Sequence, residues 1–402
     1  MVRLADPGAG PAPEPAPAAP AARRGGLSRR AVLLLVAGGA AQLSLPRLAP
    51  PAPRSAAPAA QDRAAALLAA HAQALRTGVL AELDLAELGY RVTGLTAGEV
   101  RAELDYRLRG FDDYPAVLQR SLAWDGTGAL GAESAQPGGA AAPWDLGPVR
   151  PVRGARCLVL GPGEPGDLST VAGAADQAVA AVSAVWGTGW PQRLVLQLPS
   201  TEEQFARLLG VDPGGYQGIA AVTSAAAGAP VRTAADRVML NPEAFRQLSA
   251  VGRQVVVTHE CTHVATRADT HPWTPLWLSE GVADWTGYLD TGRTARQIAP
   301  ELTRDVAAGR IPGALPADAD FAAGSQGIAQ AYEQAWLACD LIAQQHGRPA
   351  LVALYRGIGA AGPGAGRDAQ LDAQLRAGLG YGLAEFTQRW QAWTERQLAP
   401  QA

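Results

Sequence analysis

One short segment, His259-Glu260-Cys261-Thr262-His263, gathers the residue types that could do chemistry. On a helix, side chains four residues apart share a face one turn apart, so the imidazoles of His259 and His263 can grip a single divalent ion. Glu260, next to the first histidine, can lean toward that ion without ligating it. This division of labour suits hydrolysis by an activated water: a metal lowers the pKa of its water toward ~7, and an adjacent carboxylate removes the proton. After sixteen intervening residues, His263 is followed by Glu280, inside Trp277-Leu278-Ser279-Glu280-Gly281-Val282-Ala283-Asp284-Trp285. A catalytic zinc takes three protein ligands and keeps a fourth position open, and Glu280 is the natural third. Asp284, one turn further on, is placed to accept the other ring N–H of a ligating histidine, His259, fixing its tautomer. The spacing therefore predicts one Zn2+ held by His259, His263 and Glu280, with Glu260 as base and Asp284 behind the first ligand.

These residues need two helices beside a sheet. Residues 249–267 read as the first helix, and Pro275 suits the N-terminus of the second. Upstream, 155–160, 192–198, 219–223 and 237–240 read as short strands, with helices at 168–186 and 200–209. The latter opens Ser-Thr-Glu-Glu, a hydroxyl cap followed by carboxylates in the first turn. From Phe245 to the C-terminus the pattern is helical, including a long helix at 326–346. Residues 61–76 form an Ala/Leu-rich amphipathic helix, and 90–95, 99–109 and 116–125 alternate apolar and polar residues as half-buried strands do. The Gly/Ala/Pro-rich stretch 126–148 is expected as a loop or linker. The fold class is thus α+β: a small N-terminal α+β module at 61–150, in shape similar to nuclear-transport-factor-like or cystatin-like folds, then a unit at 151–400 with a mixed sheet half and an all-helical C-terminal half.

The motif resembles the gluzincin metallopeptidases, the thermolysin-like and aminopeptidase-like group in which HExxH on one helix pairs with a glutamate on the next. Glu280-Gly281-Val282-Ala283-Asp284 matches that group's E-G-x-x-D/E element. The resemblance covers about 237 to 356, under a third of the chain, and leaves 61–150 outside. It implies a hydrolase, a zinc metallopeptidase acting on a peptide or protein, with Glu260 as base and proton shuttle. It also implies a role for Tyr332, in Ala331-Tyr332-Glu333-Gln334-Ala335-Trp336: donating a hydrogen bond to the oxyanion of the tetrahedral intermediate, worth ~3–4 kcal/mol. Ala335 stands where that element usually has glycine; the other reading is an aromatic of the helical core. By the same resemblance the strand at 237–242 pairs with an extended substrate at an open sheet edge, a plain sheet strand being the alternative. The G-x-M-E-N anchor for a free amino end is absent, so aminopeptidase specificity does not carry over. His271 follows His263 after seven residues with no intervening glycine, departing from the metzincin pattern, and is expected at the surface or rim. His71 and His346 show no partner in the sequence.

The rest of the 402 residues bounds the setting. The net charge is −3, and all 34 basic residues are arginine, which argues against a nucleic-acid binder working through a basic surface. Three cysteines are too few and too scattered for a disulfide framework and read as buried small hydrophobes. Residues 1–60 are expected as a disordered Pro/Ala tail, an export signal and a linker. Arg23, Arg24, Arg29 and Arg30 precede an apolar run at 31–41 that is shorter than the ~20 residues of a bilayer span. Ser28-Arg29-Arg30 resembles a twin-arginine signal, and a general secretory signal fits nearly as well. Export to the cell envelope or the outside follows, with no stable membrane span expected beyond that segment. A second reading is a peptidase fold that binds zinc and peptide without turnover. The 61–150 module is expected to be regulatory, a docking unit or a removable prodomain.

Overall fold

The computed structural model describes residues 58–126, 128–212, 219–224, 233–322, 325–362 and 366–400. The arginine-flanked apolar run expected as an export signal lies outside them. The chain opens with helix α1 (Pro58–Thr77) and a four-stranded antiparallel meander in sequential order: β1 (Leu85–Leu95), β2 (Glu99–Leu108), β3 (Ala116–Trp124) and β4 (Leu130–Ala135). Strand β4 falls inside the stretch expected as linker. Its sequence, Leu-Gly-Ala-Glu-Ser-Ala, lies half-exposed at the end of the sheet and lacks the bulky alternation that announces a strand.

In β2 the period of two is clean: Val100, Ala102, Leu104, Tyr106 and Leu108 are buried, and the charged residues between them face outward. Two neighbours cover that apolar face. Val100 and Ala102, with Leu122 and Trp124, lie beneath Ala64 and Leu68 of α1. Leu104, Tyr106 and Leu108 share a core with Leu158, Leu160 and Val195 of a second sheet.

The second sheet has the order β5-β6-β7-β9-β8, with β5 (Arg150–Arg153), β6 (Cys157–Gly161), β7 (Leu194–Gln197), β8 (Ala221–Thr223) and β9 (Arg237–Leu240). Strands β6, β7 and β9 run parallel, while β5 and β8 are antiparallel to their neighbours. Every residue of the three parallel strands is buried, as expected for strands covered on both faces. Leu158, Leu160 and Val195 face the meander, while Met239 packs on Phe205 and Leu208 of α3 (Glu202–Leu209). Thr201 caps α3 by accepting from the Gln204 N–H, as its opening predicts. Val159, Leu194, Leu196, Val238 and Leu240 point the other way, into the main core with α2 (Pro165–Trp186) and the C-terminal helices. Among the described residues α2 alone is long and apolar enough to cross a bilayer, and its Leu168, Val171, Val179 and Val182 are buried in that core.

The C-terminal half is helical throughout: α4 (Pro242–Gln247), α5 (Ala250–Thr266), α6 (Leu276–Tyr288), α7 (Ala295–Ile298), α8 (Pro300–Ala307), α9 (Ile328–His346), α10 (Arg348–Ala360), α11 (Arg367–Leu379) and α12 (Leu383–Leu398). The chain therefore has the expected α+β class, sheets first and helices after. Two glycines of α6 fix its close neighbours. A Cβ at Gly281 would meet the Ala335 carbonyl of α9 at 2.5 Å, and one at Gly287 would meet the Val255 carbonyl of α5 at 3.0 Å. Helix α6 is thus clasped between α5 and α9 at backbone contact.

The expectation that 237–242 offers an open edge is corrected by this topology. Strand β9 is paired on both sides, parallel to β7 and antiparallel to β8. The outer strand beside the helices is β8 among the described residues.

Candidate metal centre

Helix α5 starts at Ser249, whose hydroxyl accepts from the Gly252 N–H at 3.1 Å. Its middle is buried on all sides, which would leave its threonine hydroxyls unsatisfied. Thr258, Thr262 and Thr266 instead donate to the carbonyls one turn back, at 2.8, 2.8 and 2.9 Å. That satisfied polar stripe carries His259 and His263 on a rigid support.

The two histidines turn their Nε2 atoms to each other at 2.9 Å. From α6, the Glu280 Oε2 approaches them at 3.3 and 3.5 Å. The ligand atoms of His259, His263 and Glu280 all lie within 4.8 Å of one another, so this group could hold a metal ion. Asp284 Oδ1 stands 2.7 Å from His259 Nδ1, one helical turn behind Glu280 as the spacing predicts. With Nδ1 donating to a carboxylate, His259 keeps Nε2 as the nitrogen that could ligate an ion. The His259, Glu280 and Asp284 side chains are buried, whereas that of His263 is 21 % exposed and marks the side from which the cluster can be reached.

The electrostatics fit a cation. Glu260, Glu280 and Asp284 are three buried carboxylates, and among the described residues no arginine lies within ion-pair distance of them. Glu260 Oε1, Glu280 Oε2 and Asp284 Oδ2 are buried without a hydrogen-bond partner. Buried carboxylates of this kind are paired or coordinate a metal. Burial opposes ionisation of Glu280, but His263 and His259 outweigh it and hold the carboxyl at about 2. Burial likewise disfavours a charged His259, yet Asp284 and Glu280 push it up to about 10. The pocket thus favours positive charge at the imidazole nitrogens, and two nitrogens with one carboxylate oxygen form a donor set suited to zinc.

Glu260 is 1 % exposed and is not one of the three ligand residues. Burial pushes its carboxyl up, against the two histidines and a hydrogen bond from Thr223. Thr223, at the end of β8, donates its hydroxyl to Glu260 Oε2. Sequence reading missed Thr223: a three-residue strand has no periodicity, and the contact spans 37 positions.

Tyr332 is fully buried in α9, its ring edge-on to Phe321 at 5.2 Å. His271 is outside the cluster, stacked on Trp273 at 4.6 Å. His71 and His346 do have partners, Glu133 at 2.7 Å and Tyr381 at 2.8 Å. All three cysteines are free and buried.

No family model matches the sequence, and no curated protein matches it. Among solved structures, the chain is similar in part to a two-domain M1 zinc metallopeptidase, a mutant crystallised with L-arginine. The identity is 17 % and the TM-score 0.36, over 63 % of this chain and 52 % of that one. This chain spans about half the length of that neighbour.

Proposed function

We propose that this chain is a zinc-dependent hydrolase of peptide bonds in which Glu260 activates the attacking water. One observation carries the reading. Three ligand atoms from two helices converge, and a fourth buried group, the Glu260 carboxylate, stands beside them outside the ligand set. His259, His263 and Glu280 would hold the ion. Zinc bound there would supply Lewis acidity, lowering the pKa of water and polarising a carbonyl.

The chain's own residues do the rest. Glu260 has one oxygen held by Thr223 and one, Oε1, without a partner; that oxygen takes the proton of the water and later delivers it to the leaving amine. Asp284 holds His259 in the tautomer that leaves Nε2 for the ion. In this proposal the Tyr332 hydroxyl donates to the developing oxyanion. The substrate backbone runs along β8, not β9. In that antiparallel pair Asn241 N–H donates to the Ala220 carbonyl and Ser224 N–H to the Arg237 carbonyl, both at 2.9 Å. By alternation, Ala221 and Thr223 turn their N–H and C=O groups away from β9; Ala221 is buried, and an extended peptide would pair at the partly exposed Thr223. The arginine-flanked apolar run at the N-terminus supports export as part of this reading.

The test does not depend on which peptide is the substrate. Metal content by mass spectrometry should give one zinc per wild-type chain and none in Glu280→Ala. Glu260→Gln should keep its zinc and lose at least ~100-fold in kcat on a peptide library. Zinc-free wild type would remove the reading, and undiminished Glu260→Gln would remove the base. One zinc with no cleavage would instead identify a binding protein on this scaffold.

A further inference from the structure

Thr223 joins the second sheet's outer strand among the described residues to the candidate base. Its side chain follows that of Ala221 onto the helical side of the sheet, where its hydroxyl donates to Glu260 Oε2. Its neighbour Ser224 is tied twice to Arg237: Ser224 N–H donates to the Arg237 carbonyl, and Arg237 N–H donates to the Ser224 hydroxyl, both at 2.9 Å. A β-branched threonine on a strand so fixed has few rotamers, so its hydroxyl is a rigid anchor. Glutamate has the opposite character. Its terminal torsion is broad, and the carboxylate swings unless something holds it. Glu260 Oε1 has no partner, which leaves the Thr223 hydroxyl as the bond that fixes that torsion.

We propose that Thr223 is a positioning residue whose hydroxyl fixes the Glu260 carboxylate through Oε2, leaving Oε1 as the oxygen that moves the proton. The inference rests on the hydrolase reading above. It assigns Thr223 two separable tasks: the backbone meets the substrate at the sheet edge, and the hydroxyl sets the base. Removing the hydroxyl should therefore lower turnover and spare binding. Thr223→Val keeps shape and volume and deletes only the donor, while Thr223→Ser keeps the donor.

The experiment compares zinc-loaded wild type, Thr223→Val, Thr223→Ser, Thr223→Ala and Glu260→Gln. It reads zinc content, kcat and KM on a peptide library, and calorimetric binding of acetohydroxamate, a small chelator that passes its hydroxyl proton to a neighbouring carboxylate. Thr223→Val and Thr223→Ala should keep one zinc and a KM within about twofold. Their kcat should fall ~10–100-fold, the scale of a hydrogen bond to a charged group, and Thr223→Ser should recover most of it. Acetohydroxamate should bind ~10-fold more weakly to Thr223→Val when Glu260 is present. In the Glu260→Gln background the same change should matter less than about twofold.

Equal kcat and equal hydroxamate affinity in Thr223→Val would overturn the inference. So would a Thr223→Val effect that persists undiminished in the Glu260→Gln background, or a Thr223→Ser as impaired as the valine. Wild type that binds zinc but neither hydroxamate nor peptide would bring down the hydrolase reading, and this one with it.

Discussion

Each carboxylate in the helical half takes its character from what touches it. Asp284 faces a ring nitrogen, Glu280 faces two, and Glu260 faces a hydroxyl from the sheet. Glu333 on α9 shows the same principle away from the cluster. Its oxygens accept from the backbone N–H groups of Glu301 and Leu302 at the start of α8, at 3.1 and 2.6 Å. Those bonds favour the anion, but burial and the hydrogen bond with the Glu301 carboxyl win and raise Glu333 to about 9. A carboxyl raised in this way keeps its proton in the folded chain where the unfolded chain has already lost it. Stability is then full below the ordinary carboxylate range and declines as pH climbs toward about 9. Urea denaturation from pH 5 to 9 should show that decline in the wild type and a flatter profile in Glu333→Gln; parallel profiles would refute it. At this scale the sequence was most informative where chemistry is local. His259, His263 and Asp284 obey helical spacing, so their meeting was legible. Thr223 and the partners of His71 and His346 were not, because those contacts join residues 35 to 62 positions apart that no local period relates.

Helix α6 is held by contact at its glycines. Alanine normally stabilises a helix relative to glycine by up to ~1 kcal/mol, and at the exposed Gly173 of α2, with open space around it, Gly173→Ala should do so. At Gly281 the new methyl would sit 2.5 Å from the Ala335 carbonyl and 2.7 Å from Cys339 Sγ. Overpacking of that kind costs ~1–3 kcal/mol, enough to reverse the sign. Gly281→Ala should lower the melting temperature and, by pushing the adjacent Glu280 off its place, weaken zinc binding at least ~10-fold in a competition titration. Stabilisation with unchanged zinc affinity would refute the close-contact account. The same contact gives a physical reason for glycine beside Glu280, the third proposed ligand, which the sequence displayed as a motif without its cause. The strands were harder to place. The segment 237–240 was recognisable as β9, but its position was not: β8 precedes it in sequence, and the chain returns to insert β9 between β7 and β8. Pairing order of that kind leaves no trace in a strand's own residues.

The two sheets are fastened by more than their apolar faces. Asp112, at the turn after β2, accepts from both terminal nitrogens of Arg237 at 2.7 and 2.8 Å, and the arginine lies over the Tyr106 ring. Both side chains are buried. Removing one member of such a pair strands a charge and costs ~3–5 kcal/mol. Asp112→Ala should fall by about that much in urea denaturation, and a loss below ~1 kcal/mol would show the pair to be ornamental to stability. The stretch at 126–148 looked like a joint because its glycines and prolines mask what it holds: strand β4, and Trp144, whose ring is edge-on to Tyr106 at 5.2 Å in the shared core. Composition reports how flexible an isolated segment would be; it does not report what a neighbouring face will capture.

That common core bears on how the chain would come apart. A protease that nicked the backbone between Gln136 and Ala140 would yield two pieces on a denaturing gel and one particle on a sizing column, since Leu104, Tyr106 and Leu108 would still be clamped on Leu158, Leu160 and Val195. Cutting the first segment free would strip the underside of the sheet and bare Leu158, Leu160 and Val195, while the upper side would stay packed on the helical core.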